Sequence, residues 1–146
     1  MIRKFTKNDS EQVMKIWLET NIEAHSFVPQ EYWRNSYAKV KEMLPEAQIF
    51  VFEDEKTKEL LGFIGLMKNY IAGIFIVQAG QSQGIGKALM DYVKKKYTSL
   101  TLTVYQKNSR ALAFYQRENF SIQAESTDNG TKEKEFIMSW KRGESK

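Results

Sequence analysis

The sequence predicts a single mixed α/β domain in which short strands alternate with amphipathic helices. Apolar side chains recur at every second position in some segments, such as residues 100–105, and at helical spacing in others. A β-branched run at residues 74–77 leads into a loop with Gly84 and Gly86, which opens directly into a helix with one apolar face. The element order is therefore β-α-α-β-β-β-α-β-α-β-β, and a chain of 146 residues can bury one hydrophobic core around it.

Turn and cap residues set the limits of these elements. Residues 8–10 end the first strand and cap the first helix, and Pro29 suits the first turn of the second helix. Asn108 or Ser109 can cap the last helix. Tight connections between three strands within residues 48–77 predict an antiparallel meander. Strands are expected at residues 2–5, 48–53, 60–67, 71–77, 100–105, 120–124 and 135–140.

Composition narrows the possible functions. The net charge of +4 and an isoelectric point near 9.2 permit an anionic ligand. The chain has no cysteine, which excludes disulfides, thiolate metal sites and a cysteine nucleophile. No window approaches the roughly 20 apolar residues of a transmembrane helix, so we expect a cytoplasmic protein with no membrane contact and no metal. One domain is expected over residues 1–142, followed by a disordered tail at 143–146.

The glycine-bearing loop favours a phosphate-binding site. Gly84 and Gly86 allow a sharp turn with uncovered N–H groups, and the start of the following helix adds partial positive charge. The phosphate-binding loop of nucleoside triphosphatases has four residues between its first glycine and a Gly-Lys pair, and the next residue is Ser or Thr. Here five residues separate Gly80 from Gly86, and Ala88 takes the hydroxyl position. A dinucleotide-binding fingerprint has a different spacing again. From the glycines alone, a phosphate site and a simple helix cap both remain open.

Two motifs in the second half of the chain resemble the GCN5-related N-acetyltransferase (GNAT) family. Residues 81–86 (QSQGIG) fit the family's Q/R-x-x-G-x-G/A signature for the pyrophosphate of coenzyme A. Residues 108–120 (NSRALAFYQRENF) are similar to the family's N-x-x-A-x-x-F-Y-x-x-x-G-F segment, with Asn119 in place of glycine. The resemblance covers nearly the whole chain and is to small stand-alone bacterial members. It implies a mixed, mostly antiparallel central sheet of six to seven strands flanked by four helices.

The resemblance also implies an activity and a cofactor site. Family members move an acetyl group from acetyl-CoA to an amine by direct attack in a ternary complex. Tyr115 matches the usual general acid, which protonates the leaving thiolate, although an aromatic residue here can also serve only to pack the helix. The pantetheine arm pairs with the strand before the loop, and Asn108 hydrogen-bonds the cofactor. The residues implied to bind acetyl-CoA are Ile74, Phe75, Ile76, Gln81, Ser82, Gln83, Gly84, Ile85, Gly86, Lys87, Asn108 and Tyr115.

The acceptor side is marked less clearly. At the positions where many family members place a glutamate base, the sequence has Ala72, Gly73 and Thr103. His25 is the one histidine; it titrates near neutral pH and has either a structural role or a role at the acceptor site. The candidate substrate-binding residues are His25, Phe27, Trp33 and Tyr70, and Glu19 or Glu23 could attract a cationic acceptor.

Three functions therefore compete. The first is a coenzyme A-dependent N-acetyltransferase, monomeric or homodimeric, whose acceptor is an unidentified primary amine of a small molecule, a protein lysine or a protein N-terminus. The missing carboxylate leaves open a non-catalytic acetyl-CoA sensor. The basic residues 94–96 suggest a nucleic-acid binder, but we interpret them as a solvated helix end and expect no nucleic-acid partner.

Overall fold

The computed structural model describes residues 1–143, which form seven strands and four α-helices. The strands are β1 (Ile2–Lys4), β2 (Gln48–Glu53), β3 (Leu60–Met67), β4 (Tyr70–Ile76), β5 (Ser99–Tyr105), β6 (Ser121–Thr127) and β7 (Lys134–Lys141). The helices are α1 (Ser10–Ala24), α2 (Gln30–Met43), α3 (Ile85–Lys94) and α4 (Ser109–Arg117). Most of the tail expected at residues 143–146 lies outside the described residues.

One sheet contains all seven strands in the order β1-β2-β3-β4-β5-β7-β6. Every neighbouring pair is antiparallel except β4 and β5, which run parallel. The predicted meander is β2-β3-β4, and the last two strands form a hairpin whose second strand inserts next to β5. The prediction of a mixed, mostly antiparallel sheet with four helices is confirmed.

Side-chain alternation along the strands supplies a separate core on each face of the sheet. Phe50 and Ile64 point toward α3 and α4 and join a cluster that includes Leu89. The neighbouring residues Val51 and Phe63 point the other way, into a cluster with α1 and α2. The helices therefore pack in two pairs, one on each side of the sheet, and a site at the sheet can be approached from both layers.

Several predicted boundaries shift. Pro29 precedes α2 as its N-cap and does not lie in the first turn of that helix. The strand predicted at residues 120–124 begins one residue later and continues to Thr127, because Thr127 still pairs with Lys134 in the hairpin. Asn119, which replaces the glycine of the family segment, has φ = 71°, a left-handed conformation that asparagine tolerates.

The sheet splits between β4 and β5. Only two residue pairs join these strands, Tyr70 with Thr101 and Ile71 with Leu102. Directly afterwards β4 contains a bulge, since Ile71 pairs with Leu66 but Gly73 pairs with Gly65, which leaves Ala72 as the extra residue. A bulge bends its strand, so residues 72–76 of β4 separate from residues 103–105 of β5. We call this opening the wedge.

Candidate active site

The wedge widens into a cleft of about 910 Å³ that is lined from both helical layers. α1 and α2 contribute residues from one side, α3 and α4 from the other, and β4, β5 and the glycine loop form the floor. Most of the residues singled out in the sequence converge here. Those that line the cleft are His25, Trp33, Tyr70, Ile74, Phe75, Ile76, Gln81, Ser82, Gly84, Ile85, Gly86, Lys87, Asn108 and Tyr115.

Two predicted residues lie outside the cleft lining. Phe27 packs edge-on against His25 and Tyr105, with the amino group of Lys107 above its ring. Gln83 is exposed, and its side-chain amide donates to the Ala79 carbonyl at 3.0 Å. Phe27 therefore supports the wall of the cleft from behind, and the Gln83 side chain stabilises the loop.

The backbone of β4 offers unpaired hydrogen-bonding groups to the wedge. The Val77 N–H donates to the Leu61 carbonyl on β3 at 2.9 Å. Because successive backbone groups of a strand point to opposite sides, Phe75 also directs its N–H toward β3, whereas Ile74 and Ile76 direct theirs into the wedge. The expected strand-like pairing with a ligand thus fits Ile74 and Ile76. Phe75 lines the cleft, but its main chain is turned away.

The glycine loop leaves space at the start of α3. Gly84, the residue before the helix, has φ = 80°, and a Cβ placed on it would meet no heavy atom within 4 Å. The loop is tied to β4 by Gln81, whose side-chain amide donates to the Ile76 carbonyl at 3.3 Å. An open, left-handed glycine ahead of free helix N–H groups suits an anionic group.

Basic side chains stand near this loop. Lys87, Arg110 and Arg117 line the cleft, and the Lys87 amino group lies 3.6 Å from Asp91 and 3.5 Å from Glu118. The Lys87 side chain is 65% exposed, so it can turn to a phosphate. The unpaired edge of β4, the open start of α3 and the three basic side chains together fit an extended ligand with phosphates at one end, as in coenzyme A.

Asn108 connects the cofactor side of the cleft to the acceptor side. It is the N-cap of α4, and its Oδ1 accepts from the Ala111 N–H at 3.2 Å. That contact fixes the orientation of the amide, because only an oxygen can accept there, so Nδ2 faces His25. The distance from Nδ2 to His25 Nε2 is 3.2 Å. Since Nδ2 is a donor, His25 Nε2 must be the acceptor, and the ring proton is on Nδ1.

The surroundings of His25 favour this neutral form. The ring stacks on Trp33 with centroids 5.3 Å apart and meets Phe27 and Tyr105 edge-on. Burial lowers the pKa of His25, although the nearby backbone of Asn21 partly opposes this by raising it. Nδ1 is buried and has no hydrogen-bond partner within residues 1–143. With one nitrogen protonated and the other engaged by Asn108, the ring has no free lone pair. His25 therefore positions Asn108 and is poorly placed to act as the base considered in the sequence.

The environment of Tyr115 is compatible with both roles weighed for it. Its ring is buried, with 7% exposed, and packs against Phe114 and Phe120. Its hydroxyl makes no hydrogen bond within residues 1–143, although the residue lines the cleft. Burial raises the pKa of Tyr115, and the nearby Tyr70 raises it further. The hydroxyl therefore remains protonated at neutral pH and is available as a donor.

On the acceptor side, the predicted residue Tyr70 is joined by polar residues that the sequence did not single out. Tyr70 donates from its hydroxyl to Thr103 Oγ1 at 3.2 Å. Tyr105 and Glu135 line the same part of the cleft from β5 and β7. Alternation along β7 separates Glu135 and Ile137 from the core residues Phe136 and Met138, and this pattern was the available signal for Glu135. Within residues 1–143, no group of three or more His, Asp or Glu side chains is arranged to hold a metal.

The comparisons with known proteins agree with this geometry. Residues 9–134 match the model of the acetyltransferase (GNAT) domain family. The chain is 36% identical over 142 residues to the peptidyl-lysine N-acetyltransferase YiaC of Escherichia coli K12, covering 96% of each. The solution structure of apo-form YjaB from Escherichia coli has a TM-score of 0.84 at 25% identity and covers 95% of each chain.

A further solved structure shares the fold. Spermidine N-acetyltransferase from Vibrio cholerae, in complex with CoA and spermine, has a TM-score of 0.74 at 18% identity and covers 97% of this chain and 95% of that one.

The predictions of the family and of acetyl-CoA as the acetyl donor are confirmed, and the enzyme is favoured over the sensor. Among the described residues no helix is long and apolar enough to span a membrane. The chain belongs to the GNAT acetyltransferase family and is an acetyl-CoA-dependent N-acetyltransferase.

Proposed function

We propose that this enzyme acetylates the side-chain amine of lysine in a protein or peptide. The observation that carries the proposal is the 36% identity, over 96% of both chains, to a peptidyl-lysine N-acetyltransferase. The acceptor side of the cleft is compatible with a residue presented on a larger molecule, since Tyr70 is exposed there and the cleft opens to the surface. A flexible, cationic lysine side chain can reach into such an opening.

On the donor side, the proposed contacts follow the predicted cofactor residues. The pyrophosphate is held by the loop from Gln81 to Lys87 at the start of α3, and the pantetheine arm pairs with Ile74 and Ile76. Asn108, held by His25, contacts the same arm. When bound, acetyl-CoA supplies a thioester carbonyl that a neutral amine can attack directly, so both substrates occupy the cleft together in a ternary complex.

For the transfer itself, two groups of the chain face the reacting atoms in this proposal. The N–H of Ile76 points into the wedge and can stabilise the developing negative charge on the carbonyl oxygen. Tyr115 gives its hydroxyl proton to the departing thiolate. A thiol has a pKa of roughly 8.5, so the thiolate is a moderately good leaving group, and a contribution of about 10²-fold is expected from the acid.

The proposal includes a cytoplasmic, monomeric or homodimeric enzyme that acts without nucleic acid. Lys94 is occupied by Glu118, to which it donates twice, at 2.6 Å to the carbonyl and at 3.3 Å to the carboxylate. The Lys96 amino group lies over the rings of Phe50 and Tyr92. Lys94, with 15% of its side chain exposed, is therefore held by the fold and is not solvated as expected from the sequence, and both contacts support a helix-end role for residues 94–96 over nucleic-acid binding.

A panel of amines tests the proposal. Wild-type enzyme and the Tyr115→Phe variant are supplied with acetyl-CoA and a lysine peptide, an α-amine peptide, spermidine or an aminoglycoside, and free thiol is followed. We expect release with the lysine peptide, an acetylated side chain by mass spectrometry, and a kcat about 10²-fold lower in the variant with unchanged acetyl-CoA affinity. Release from another amine alone would contradict the lysine proposal, and an unchanged kcat would exclude Tyr115 as the acid.

A further inference from the structure

The acceptor amine must lose a proton, and the positions usual for a base carry no carboxylate. A lysine side chain has a pKa of about 10.4, so it is mostly protonated at neutral pH. His25 has no free lone pair, because Nε2 accepts from Asn108. The proton acceptor must therefore be another of the residues that line the cleft.

One cross-strand row places a carboxylate on the acceptor face of the sheet. Glu135 pairs directly with Tyr105 on β5 and with Ser126 on β6, so the three side chains share one face. Tyr105 identifies that face, because its ring packs against His25 and Phe27. The next row toward the closed end of the wedge contains Thr103 and Ile137, about 7 Å along the strands.

This row lies next to the closed end of the wedge. Thr103 Oγ1 accepts from the hydroxyl of Tyr70, the first residue of β4, at 3.2 Å. Glu135 is thus one strand repeat away from the point where β4 and β5 separate. Tyr105 borders the wedge, and Glu135 lies beside it in the same row, so this carboxylate can meet an ammonium group that enters the cleft from the exposed side.

The other carboxylates that line the cleft are unsuited to this task. Glu118 has 7% of its side chain exposed and is paired with both Lys94 and Lys87 at the cofactor end. Glu23 is exposed near the end of α1. Glu135 forms no salt bridge in the described part of the chain, and its carboxylate accepts one hydrogen bond, from Ser126 at 3.3 Å. It keeps lone pairs for a ligand.

The surroundings of Glu135 also separate its titration from that of the neighbouring Asp128. Burial raises the pKa of Glu135, and the charge of Asp128 raises it further. Burial pushes the pKa of Asp128 upward, but hydrogen bonds from Tyr105, Thr131 and the Gly130 N–H together lower it. Two nearby carboxyl groups with opposite shifts are typical of sites in which one group exchanges a proton and the other remains charged.

We propose that Glu135 receives the ammonium group of the acceptor and takes its proton, while Asp128, held by Tyr105, maintains the negative charge that attracts it. This inference rests on the proposed lysine acceptor. The remaining charged groups around this row are Glu125, which accepts from Gln106 at 3.1 Å, and Glu133, which pairs with Lys107 at 3.2 Å. The negative charges of Asp128 and Glu135 also act on Tyr32 and contribute to its raised pKa.

The proton balance is complete without a further reactant. The ammonium nitrogen gives one proton to Glu135 and becomes neutral; it then forms the C–N bond to the acetyl carbon as the C–S bond breaks. The thiolate takes the Tyr115 proton, and the second proton of the attacking nitrogen restores the Tyr115 hydroxyl. Glu135 releases its proton to solvent, so one proton is produced in each turnover.

Glu135→Gln tests the proposal, with Glu133→Gln as the matched control. The control removes a carboxylate directly before β7, two residues from Glu135, at a position that does not line the cleft. With the lysine peptide at neutral pH, we expect kcat/KM of Glu135→Gln to fall about 10²-fold or more, the range for loss of a general base. The loss of kcat/KM relative to wild type should shrink as the pH approaches the pKa of lysine. In wild type, kcat/KM should fall on the acidic side at a pH above 4.5, because the pKa of Glu135 is raised from that value. This acidic fall should be absent in Glu135→Gln.

Two readouts do not depend on turnover. Acetyl-CoA affinity should be the same in wild type and both variants. n-Butylammonium, an analogue of the lysine side chain, should bind the coenzyme A complex more weakly in Glu135→Gln, followed by NMR titration. A wild-type pH profile and unchanged n-butylammonium affinity in Glu135→Gln would overturn the proposal, as would an equal loss in Glu133→Gln. If the lysine peptide is not acetylated by wild type, the lysine acceptor is refuted, and n-butylammonium binding still decides the role of Glu135.

Discussion

The contact between His25 and Asn108 yields a prediction that is independent of catalysis. In Asn108→Asp, one carboxylate oxygen can keep the helix-cap contact with the Ala111 N–H. The other oxygen then replaces Nδ2, which is 3.2 Å from His25 Nε2. A donor to the ring nitrogen thus becomes a negatively charged acceptor. Protonation of Nε2, which the wild-type geometry opposes, becomes favourable.

The size of the effect follows from that distance. Opposite unit charges 3.2 Å apart attract by about 1.3 kcal/mol even at the dielectric constant of water, and this corresponds to about one pKa unit. The partly buried site has a lower effective dielectric constant, so the increase in the pKa of His25 should lie in the range of about 1–3 units found for close opposite charges.

NMR titration measures this shift without an assignment problem, because the chain has a single histidine. The wild-type pKa should lie below the ordinary histidine value of 6.5, since burial favours the neutral ring. Ser109→Asp is the matched control, as it adds the same charge one residue later at an exposed position and should move the His25 pKa much less. A wild-type pKa above 6.5, or equal shifts in the two variants, would refute the proposed ring orientation.

Three further predictions concern stability and the loop. Leu89→Ala, at a fully buried position, should lower the free energy of unfolding by about 2–5 kcal/mol in denaturant titrations; a loss within error would contradict the described core. Gly84→Ala introduces no clash but places alanine at φ = 80°, so it should cost about 1–2 kcal/mol and weaken acetyl-CoA binding measured by calorimetry, whereas unchanged affinity would argue against the loop as the phosphate site. Arg3 donates to Asp9 at 2.8 and 3.0 Å, and these hydrogen bonds lower the pKa of Asp9 below 3.8. The contribution of this pair is therefore complete above about pH 3.8 and is lost as the pH falls through the lowered value; Arg3→Met should move the acid-unfolding midpoint to higher pH, and an identical midpoint would exclude the pair as its cause.

Local pattern was sufficient for much of the fold. The bounds of β2 and β3 agree with the predicted strands, because their alternation and the polar hairpin between them are both local signals. Of the two predicted cap candidates, Asn108 and Ser109, the structure has Asn108 as the N-cap of α4. The longer β6 was missed because residues 125–127 are polar and owe their strand conformation to pairing with β7.

The acceptor side depends on contacts that no local pattern contains. The His25–Asn108 contact joins residues 83 positions apart, and it forms only when α1 and α4 meet across the wedge. Glu135 was placed in a strand, but its position in the cleft requires β7 to insert between β5 and β6. The bulge at Ala72 depends in turn on the register between β3 and β4. The sequence motifs therefore predicted a set of donor-side residues of which most line the cleft, while the arrangement of the acceptor side depends on long-range pairing.

The wedge also turns β4 into an edge strand located inside the sheet. Exposed edges are a hazard because they can pair with strands of other chains and promote aggregation. Here the unpaired N–H groups of Ile74 and Ile76 face a gap that is closed at Tyr70 and Ile71. Helices of both layers line this gap and cover the edge against strands of other chains, whereas a thin amide-containing chain can lie along β4. The same feature therefore protects the protein from edge-to-edge association and selects a slender acyl carrier as its partner.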